Sequence, residues 1–283
     1  MTRQATGWTV VVAVCAAVGV WGWHVQHAED TRGVLVAGGD GGGLPRAAPA
    51  LEGFDESALR ATAATAVTQG ASALLVTRHG HLVLEQYGHG AEASTLVDGG
   101  DLTFPLLIVA SGVAVTQFGM SMPAPPLAAD GLAAGIAAAS GKSYPEFLSR
   151  HVWQPLNATS ARWLAPVLRA RAMDWLRVAE LLMHDGRFEG RQITPRGWVA
   201  GHLDQISGPS AQGPLVGGMI RLRGPGATRM WLVPSLDLAV LRVNATPVPG
   251  APIDESLGRT ISNELRDRPA SGGSSLHDLV PGH

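Results

Sequence analysis

The sequence contains a single lysine, Lys142, among 283 residues that include 20 arginines. It also contains a single cysteine, Cys15, which excludes an intramolecular disulfide bond. Charged residues make up only 16% of the chain, the net charge is −2 and no basic stripe is present, so nucleic acid is not an expected partner. Any reaction that needs a lysine amine must therefore use Lys142.

Hydrophobic residues make up 46% of the chain, enough for a substantial core in one large domain or two small ones. The glycine run at 38–43 lacks the Gly-Lys-Ser/Thr ending of a phosphate-binding loop. His79, His81 and His89 lie near one predicted turn, where we interpret them as polar turn residues, with a metal site as the alternative. We expect no cofactor and no metal.

Residues 8–24 form an uncharged apolar run flanked by Trp8, Trp21 and Trp23, a pattern typical of a membrane anchor. Arg3 lies before the run, and Glu29 and Asp30 lie after it. This pattern predicts a cytoplasmic segment 1–7, a single transmembrane helix, and a domain on the extracytoplasmic, periplasmic side. A cleaved signal peptide and a soluble core helix are the alternatives.

The composition predicts a flexible linker at 25–52, one domain at 53–267 and a polar tail at 268–283. Within the domain, apolar patterns predict a β-hairpin at 72–87, three strands between 216 and 243, and several helices between the outer strands. The chief helices are expected at 55–68, 103–115, 128–140, 174–184, 194–202 and 253–265. Outer strands with helices between them indicate an α+β fold with an antiparallel sheet flanked by helices.

The stretch 98–117 reads as a polar turn that leads into a buried helix. Gly99 and Gly100 permit unusual backbone angles, and Pro105 is tolerated in the first helical turn. No charged residue occurs from 103 to 115, which is typical of a core helix. Asp101 is interpreted as a turn-capping residue, with a general base as the alternative.

Four blocks of the sequence resemble the serine β-lactamase and penicillin-binding protein family, in its class C and esterase-like branch. They are ALLVTRHGHLVLEQYGHG at 73–90, GKSYPEFLSRHVWQPLNATSARW at 141–163, AMDWLRVAELLMHDGRFEGRQITPRGWV at 172–199 and GGMIRLRGPGATRMWLVPSLDLAVLRV at 217–243. The resemblance implies a β-lactamase/transpeptidase-like fold. It also implies a truncated helical subdomain, because only 119–127 joins the core helix to the next segment.

Two catalytic motifs of that family are not found in this chain, and a third, which varies within the family, keeps only its glycine. The Ser-x-x-Lys position, at the start of the buried helix, is expected at Gly99-Gly100-Asp101-Leu102. The Tyr-x-Asn position is expected at 125–127, which reads Pro-Pro-Leu, and the Lys-Thr-Gly position at Leu222-Arg223-Gly224. The predicted residues of the former pocket are Gly99, Asp101, Leu102, Arg223 and Gly224.

These losses predict a membrane-anchored, non-catalytic relative of the serine hydrolases that binds a cell-wall peptide or a protein partner. One alternative is an active hydrolase with a different nucleophile, for which Ser94, Thr95, Thr103 and Ser111 are candidates. A structural membrane protein without a ligand is the other alternative.

Overall fold

A computed structural model describes residues 32–207, 218–226, 228–244, 257–263 and 265. The predicted membrane anchor at 8–24 and the polar tail at 268–283 lie outside this part of the chain. Among the described residues, one helix, Gly100–Phe118, is long and apolar enough to cross a bilayer, but most of it is buried inside the domain.

The described part of the chain is an α+β fold, as predicted. Its strands are β1 Val34–Val36, β2 Ala73–Arg78, β3 His81–Tyr87, β4 Leu96–Asp98, β5 Ala161–Leu164, β6 Val167–Arg171, β7 Arg187–Phe188, β8 Arg191–Gln192, β9 Ile220–Arg223, β10 Arg229–Val233 and β11 Leu238–Val243. Its α-helices are α1 Glu56–Thr68, α2 Thr103–Phe118, α3 Ala129–Ser140, α4 Tyr144–Leu148, α5 Ala172–Met183, α6 Trp198–Gly201, α7 Leu203–Ser207 and α8 Leu257–Asn263.

The central sheet is antiparallel and has the order β3-β2-β11-β10-β9. Alternate residues of its strands enter two separate cores, because successive side chains of a strand point to opposite faces. Leu74 and Val76 pack in the core beside α1 and α8, whereas Leu75 packs in the larger core that contains α2 and α5. The sheet is therefore flanked by helices on both faces.

A second, smaller antiparallel sheet has the order β1-β5-β6-β4. Strand β1 belongs to the segment 25–52 that we predicted to be a flexible linker, and this prediction is wrong for 33–52. Val36 is fully buried, Leu44 is almost fully buried, and Pro49–Glu52 forms a short 3₁₀ helix. Glycine in this segment allows close packing: a Cβ on Gly38 would lie 2.3 Å from the carbonyl oxygen of Ala158.

Helix α2 lies in the larger core, where Leu106, Leu107 and Ile108 are completely buried. It ends at Gly119, which has the left-handed conformation that glycine adopts most readily (φ +66°). Residues 119–128 then cross to α3 without forming a helix or a strand. The predicted helix at 194–202 begins later, at Trp198, and is broken at His202 into α6 and α7.

Candidate functional site

The turn between β4 and α2 is held by hydrogen bonds that two of its main-chain N–H groups donate. The N–H of Gly99 donates to the carbonyl oxygen of Leu168 (2.9 Å), and the N–H of Gly100 donates to Oδ1 of Asp98 (2.8 Å). Asp98, not Asp101, is therefore the capping residue of this turn. A 3₁₀ turn, Gly100–Leu102, leads directly into α2.

A cavity of about 530 Å³ opens at the start of α2. Its walls are formed by the start of α2, the segment between α2 and α3, the β5–β6 turn, α7 and the end of β9. The lining residues are Gly100, Asp101, Thr103, Phe104, Pro125, Pro126, Leu127, Ala129, Pro166, Val167, Asp204, Gln205, Ile206, Leu222 and Arg223. The three positions at which we expected catalytic motifs thus meet at one cavity.

The structure places the five predicted pocket residues in two groups. Asp101 and Arg223 line the cavity, whereas Gly99, Leu102 and Gly224 do not. Leu102 is buried in the core, and a Cβ on Gly99 would lie 2.2 Å from the Trp175 ring. A Cβ on Gly224 would lie 2.8 Å from Cγ2 of Thr228, so both glycines permit close packing beside the cavity.

Two pairs of cavity-lining residues lie three positions apart at the start of α2: Gly100 with Thr103, and Asp101 with Phe104. Residues three apart lie on the same side of a helix, as a nucleophile and its base must. Gly99 and Leu102, at which the nucleophile and base positions were predicted, are both buried and do not line the cavity. Phe104 was missed by the sequence analysis, which treated it as part of the core helix.

The lysine and both tyrosines of the chain lie away from the cavity. Nζ of Lys142 contacts Oε1 of Glu146 (2.9 Å) on the surface of α4. Burial and the neighbouring Glu85 raise the pKa of Tyr87, and burial raises the pKa of Tyr144, whose ring packs against Trp163. None of the three side chains can transfer a proton at the start of α2.

The cavity wall is mainly apolar and carries three charged side chains, Asp101, Asp204 and Arg223. Thr103 supplies the one hydroxyl group among its described lining residues. That Oγ1 accepts a hydrogen bond from the N–H of Leu168 (3.1 Å) and is buried, so it is part of the support of the turn. Among the described residues, the Asp101 carboxylate accepts no hydrogen bond and is exposed.

No protein-family model and no curated protein matches the sequence. Solved structures, however, match the fold. A protein described as a 6-aminohexanoate-dimer hydrolase from Bacillus anthracis aligns with a TM-score of 0.60 at 17% identity, over 87% of this chain and 92% of that protein.

Two further structures show the same likeness. One, described as a beta-lactamase from Bacteroides dorei, has a TM-score of 0.59 at 13% identity over 76% of this chain and all of the other. A beta-lactamase from Mycobacterium bovis has a TM-score of 0.54 at 15% identity, over 69% of this chain and 95% of that protein. The chain therefore has the fold of the β-lactamase and penicillin-binding serine hydrolases, as the sequence resemblance implied.

Proposed function

We propose that this β-lactamase-fold chain is a non-catalytic binding protein that holds a short cell-wall peptide in the cavity at the start of α2. One observation carries the proposal: the cavity-lining pairs three residues apart at the start of α2 are Asp101 with Phe104 and Gly100 with Thr103, and neither pair contains an amine. A carboxylate beside an aromatic ring contains neither the hydroxyl group nor the amine that acyl transfer in this fold requires. Loss of such a unit lowers the rate about 10⁶-fold in a well-studied serine hydrolase.

The other candidate nucleophiles are poorly placed for catalysis. Oγ of Ser94 contacts Oε1 of Glu92, and Oγ1 of Thr95 accepts the N–H of Glu92, both in a loop before β4. Ser111 is completely buried in α2 and donates to the carbonyl oxygen of Ile108 (2.7 Å). No described observation favours the alternative of an active hydrolase.

The size and lining of the cavity support a small peptide ligand. Its volume of about 530 Å³ is typical of a small-molecule site. The cavity is concave, whereas a protein partner usually covers a flat surface. Phe104, Leu127 and Ile206 offer apolar contacts. Arg223 can pair with a ligand carboxylate, and Asp101 can pair with an ammonium group, so the wall complements a zwitterionic peptide.

We also propose that residues 8–24 anchor the domain in the membrane with the cavity on the periplasmic side, where cell-wall peptides occur. The support for this part is the length of the apolar run and its flanking tryptophans.

Covalent labelling and peptide binding together test the proposal. The purified chain should give no stoichiometric adduct with a fluorescent penicillin or a fluorophosphonate, under conditions in which an active β-lactamase-fold enzyme is labelled completely. An adduct on any side chain of 98–104 would overturn the non-catalytic assignment.

Isothermal titration with a cell-wall stem peptide should show saturable binding that weakens about tenfold or more in Arg223→Ala and Asp101→Ala, as expected for loss of a charged contact. Arg221→Ala and Asp130→Ala are matched controls, because neither residue lines the cavity, and they should bind like the wild type. No binding by any variant or by the wild type would favour a structural protein without this ligand.

A further inference from the structure

We infer that the opposite end of the central sheet holds a divalent transition-metal ion, with Glu180, His184 and Asp237 as its ligands. One donor atom from each residue lies within 4.8 Å of the other two. Glu180 and His184 are four residues apart at the end of α5, so they lie on one helix face. Asp237 lies in the turn between β10 and β11 and reaches this face from the sheet.

The site is separate from the cavity. Arg229 pairs with Arg223 at the cavity end of β10, whereas Val233 pairs with Leu238 at its other end, next to Asp237. The four residue steps along β10 correspond to about 14 Å. Cavity and metal ligands therefore share the sheet but no residue.

The hydrogen bonds of His184 orient it as a ligand. Its Nδ1 lies 2.9 Å from the carbonyl oxygen of Glu180, the contact of an N–H donor with its acceptor. In the neutral ring, Nε2 then carries a lone pair, and it lies 3.0 Å from Oδ1 of Asp237. Metal-binding histidines commonly donate their other ring N–H to a backbone carbonyl in this way.

Nε2 of His184 and Oδ1 of Asp237 face each other in the group. The two atoms are 3.0 Å apart, and the hydrogen bond to Asp237 raises the pKa of His184, so a proton on Nε2 satisfies this contact when no metal ion is bound. Oδ1 is shielded from solvent. A divalent ion would displace this proton and bind the same two donor atoms.

The carboxylate of Glu180 is also held in place. It is 97% buried and accepts a hydrogen bond from the hydroxyl group of Thr77 on β2, so one oxygen is fixed and the other is directed towards His184. The side chains of His184 and Asp237 remain about one-third exposed, which leaves a path for the ion and a position for water.

The donor set selects the class of metal. One imidazole and two carboxylates suit Zn²⁺ and related ions better than Mg²⁺ or Ca²⁺, which prefer oxygen ligands alone. Zinc bonds of about 2.0–2.2 Å hold tetrahedral ligands about 3.4 Å apart, so binding requires side-chain movements of no more than about 1.5 Å. The ion would tie the end of α5 to the β10–β11 turn.

Zinc titration of the full chain in detergent micelles, after treatment with a chelator, tests the site. The wild type should bind one equivalent more Zn²⁺ than Asp237→Asn and Glu180→Gln, and only the wild type should melt at a higher temperature when Zn²⁺ is added. Both variants are near-isosteric, and asparagine adopts the left-handed conformation of residue 237 (φ +46°) readily, so both should fold.

His89→Gln is the matched control, because His89 lies on the surface with Nε2 bound to the carbonyl oxygen of Val67. It should keep the full zinc stoichiometry, and Mg²⁺ should not raise the melting temperature of any variant. Equal zinc stoichiometry and affinity in the wild type and in both site variants would overturn the inference. Loss of one bound Zn²⁺ per chain in His81→Gln, but not in His184→Gln, would also overturn it. That result would place the ion at the neighbouring group of Glu52, His79 and His81.

Discussion

Gly99 and Trp175 fix the turn that presents Asp101 to the cavity. Trp175 is completely buried, and its Nε1 donates to the carbonyl oxygen of Val97 (3.4 Å). The backbone of Gly99 has an ordinary helical conformation (φ −76°), so its lack of a side chain matters only for the space it leaves to the indole ring.

Gly99→Ala should therefore destabilise the protein by about 1–3 kcal/mol, because a Cβ cannot fit 2.2 Å from the Trp175 ring. The free energy of unfolding in urea, followed by tryptophan fluorescence, measures this change. Gly131→Ala is the control: it is an exposed helical position with open space around it, and it should stabilise by about 0.5–1 kcal/mol. Equal stability of the two variants would contradict the packing at Gly99.

At the residue scale, the sequence indicated that Asp101 is exposed, but it did not indicate which residues at the start of α2 line the cavity. Asp101 is the one charged residue in 99–115, and a carboxylate is costly to bury, so it was predictable that it points to an open space. The prediction at Gly99 depended on glycine at this position, which suggested a vacated catalytic residue. Only the packing of Trp175, from a distant helix, shows why glycine is needed there.

Among the elements, the segment before α1 depends on a buried ion pair. Nη1 of Arg177 lies 2.7 Å from Oδ1 of Asp174, and both side chains are almost completely buried. Arg177 also donates to the carbonyl oxygen of Gly42, and Asp174 accepts the N–H of Thr159 (3.0 Å). Helix α5 thus holds the glycine-rich segment against the domain.

Asp174→Ala should destabilise by about 3–5 kcal/mol, because it leaves the Arg177 guanidinium buried without its partner. Urea unfolding measures the loss, and limited proteolysis should show faster cleavage within 33–52. Glu146→Ala removes the exposed partner of Lys142 and should change neither measurement. A proteolysis pattern unchanged in Asp174→Ala would show that other contacts hold the segment.

The elements that the sequence analysis missed are short. Residues 161–171 form β5 and β6, where Leu168 and Ala170 are buried and their neighbours are partly exposed. This alternation is a strand signal, but it spans only five residues beside a Pro-containing turn. The linker error had a similar origin, because glycine favours flexibility in isolation and close backbone packing inside a fold.

For the whole molecule, we expect catalytic competence to depend on which residues occupy one helical turn at the cavity. Asp101→Ser combined with Phe104→Lys should give covalent labelling by a fluorescent penicillin that the wild type lacks, because it restores a hydroxyl group and an amine on the cavity face of α2.

The matched double variant is Gly99→Ser with Leu102→Lys, at the positions that face the interior. It should give no labelling, and its lysine should destabilise the fold. Labelling of this second variant, or labelling of neither variant, would contradict the prediction that residues 101 and 104 occupy the nucleophile and base positions. The sequence predicted the fold, because four blocks that resemble the family are visible without coordinates.

Three of the residues around the cavity are prolines, Pro125, Pro126 and Pro166. Proline has no amide hydrogen, so these stretches of wall cannot donate main-chain hydrogen bonds to a guest molecule. The proline residues therefore cannot pair with a peptide as a neighbouring β-strand would. They also cannot donate an N–H to a developing oxyanion. Selectivity would depend on molecular shape and on the end charges of the guest, which favours compact ligands over extended ones.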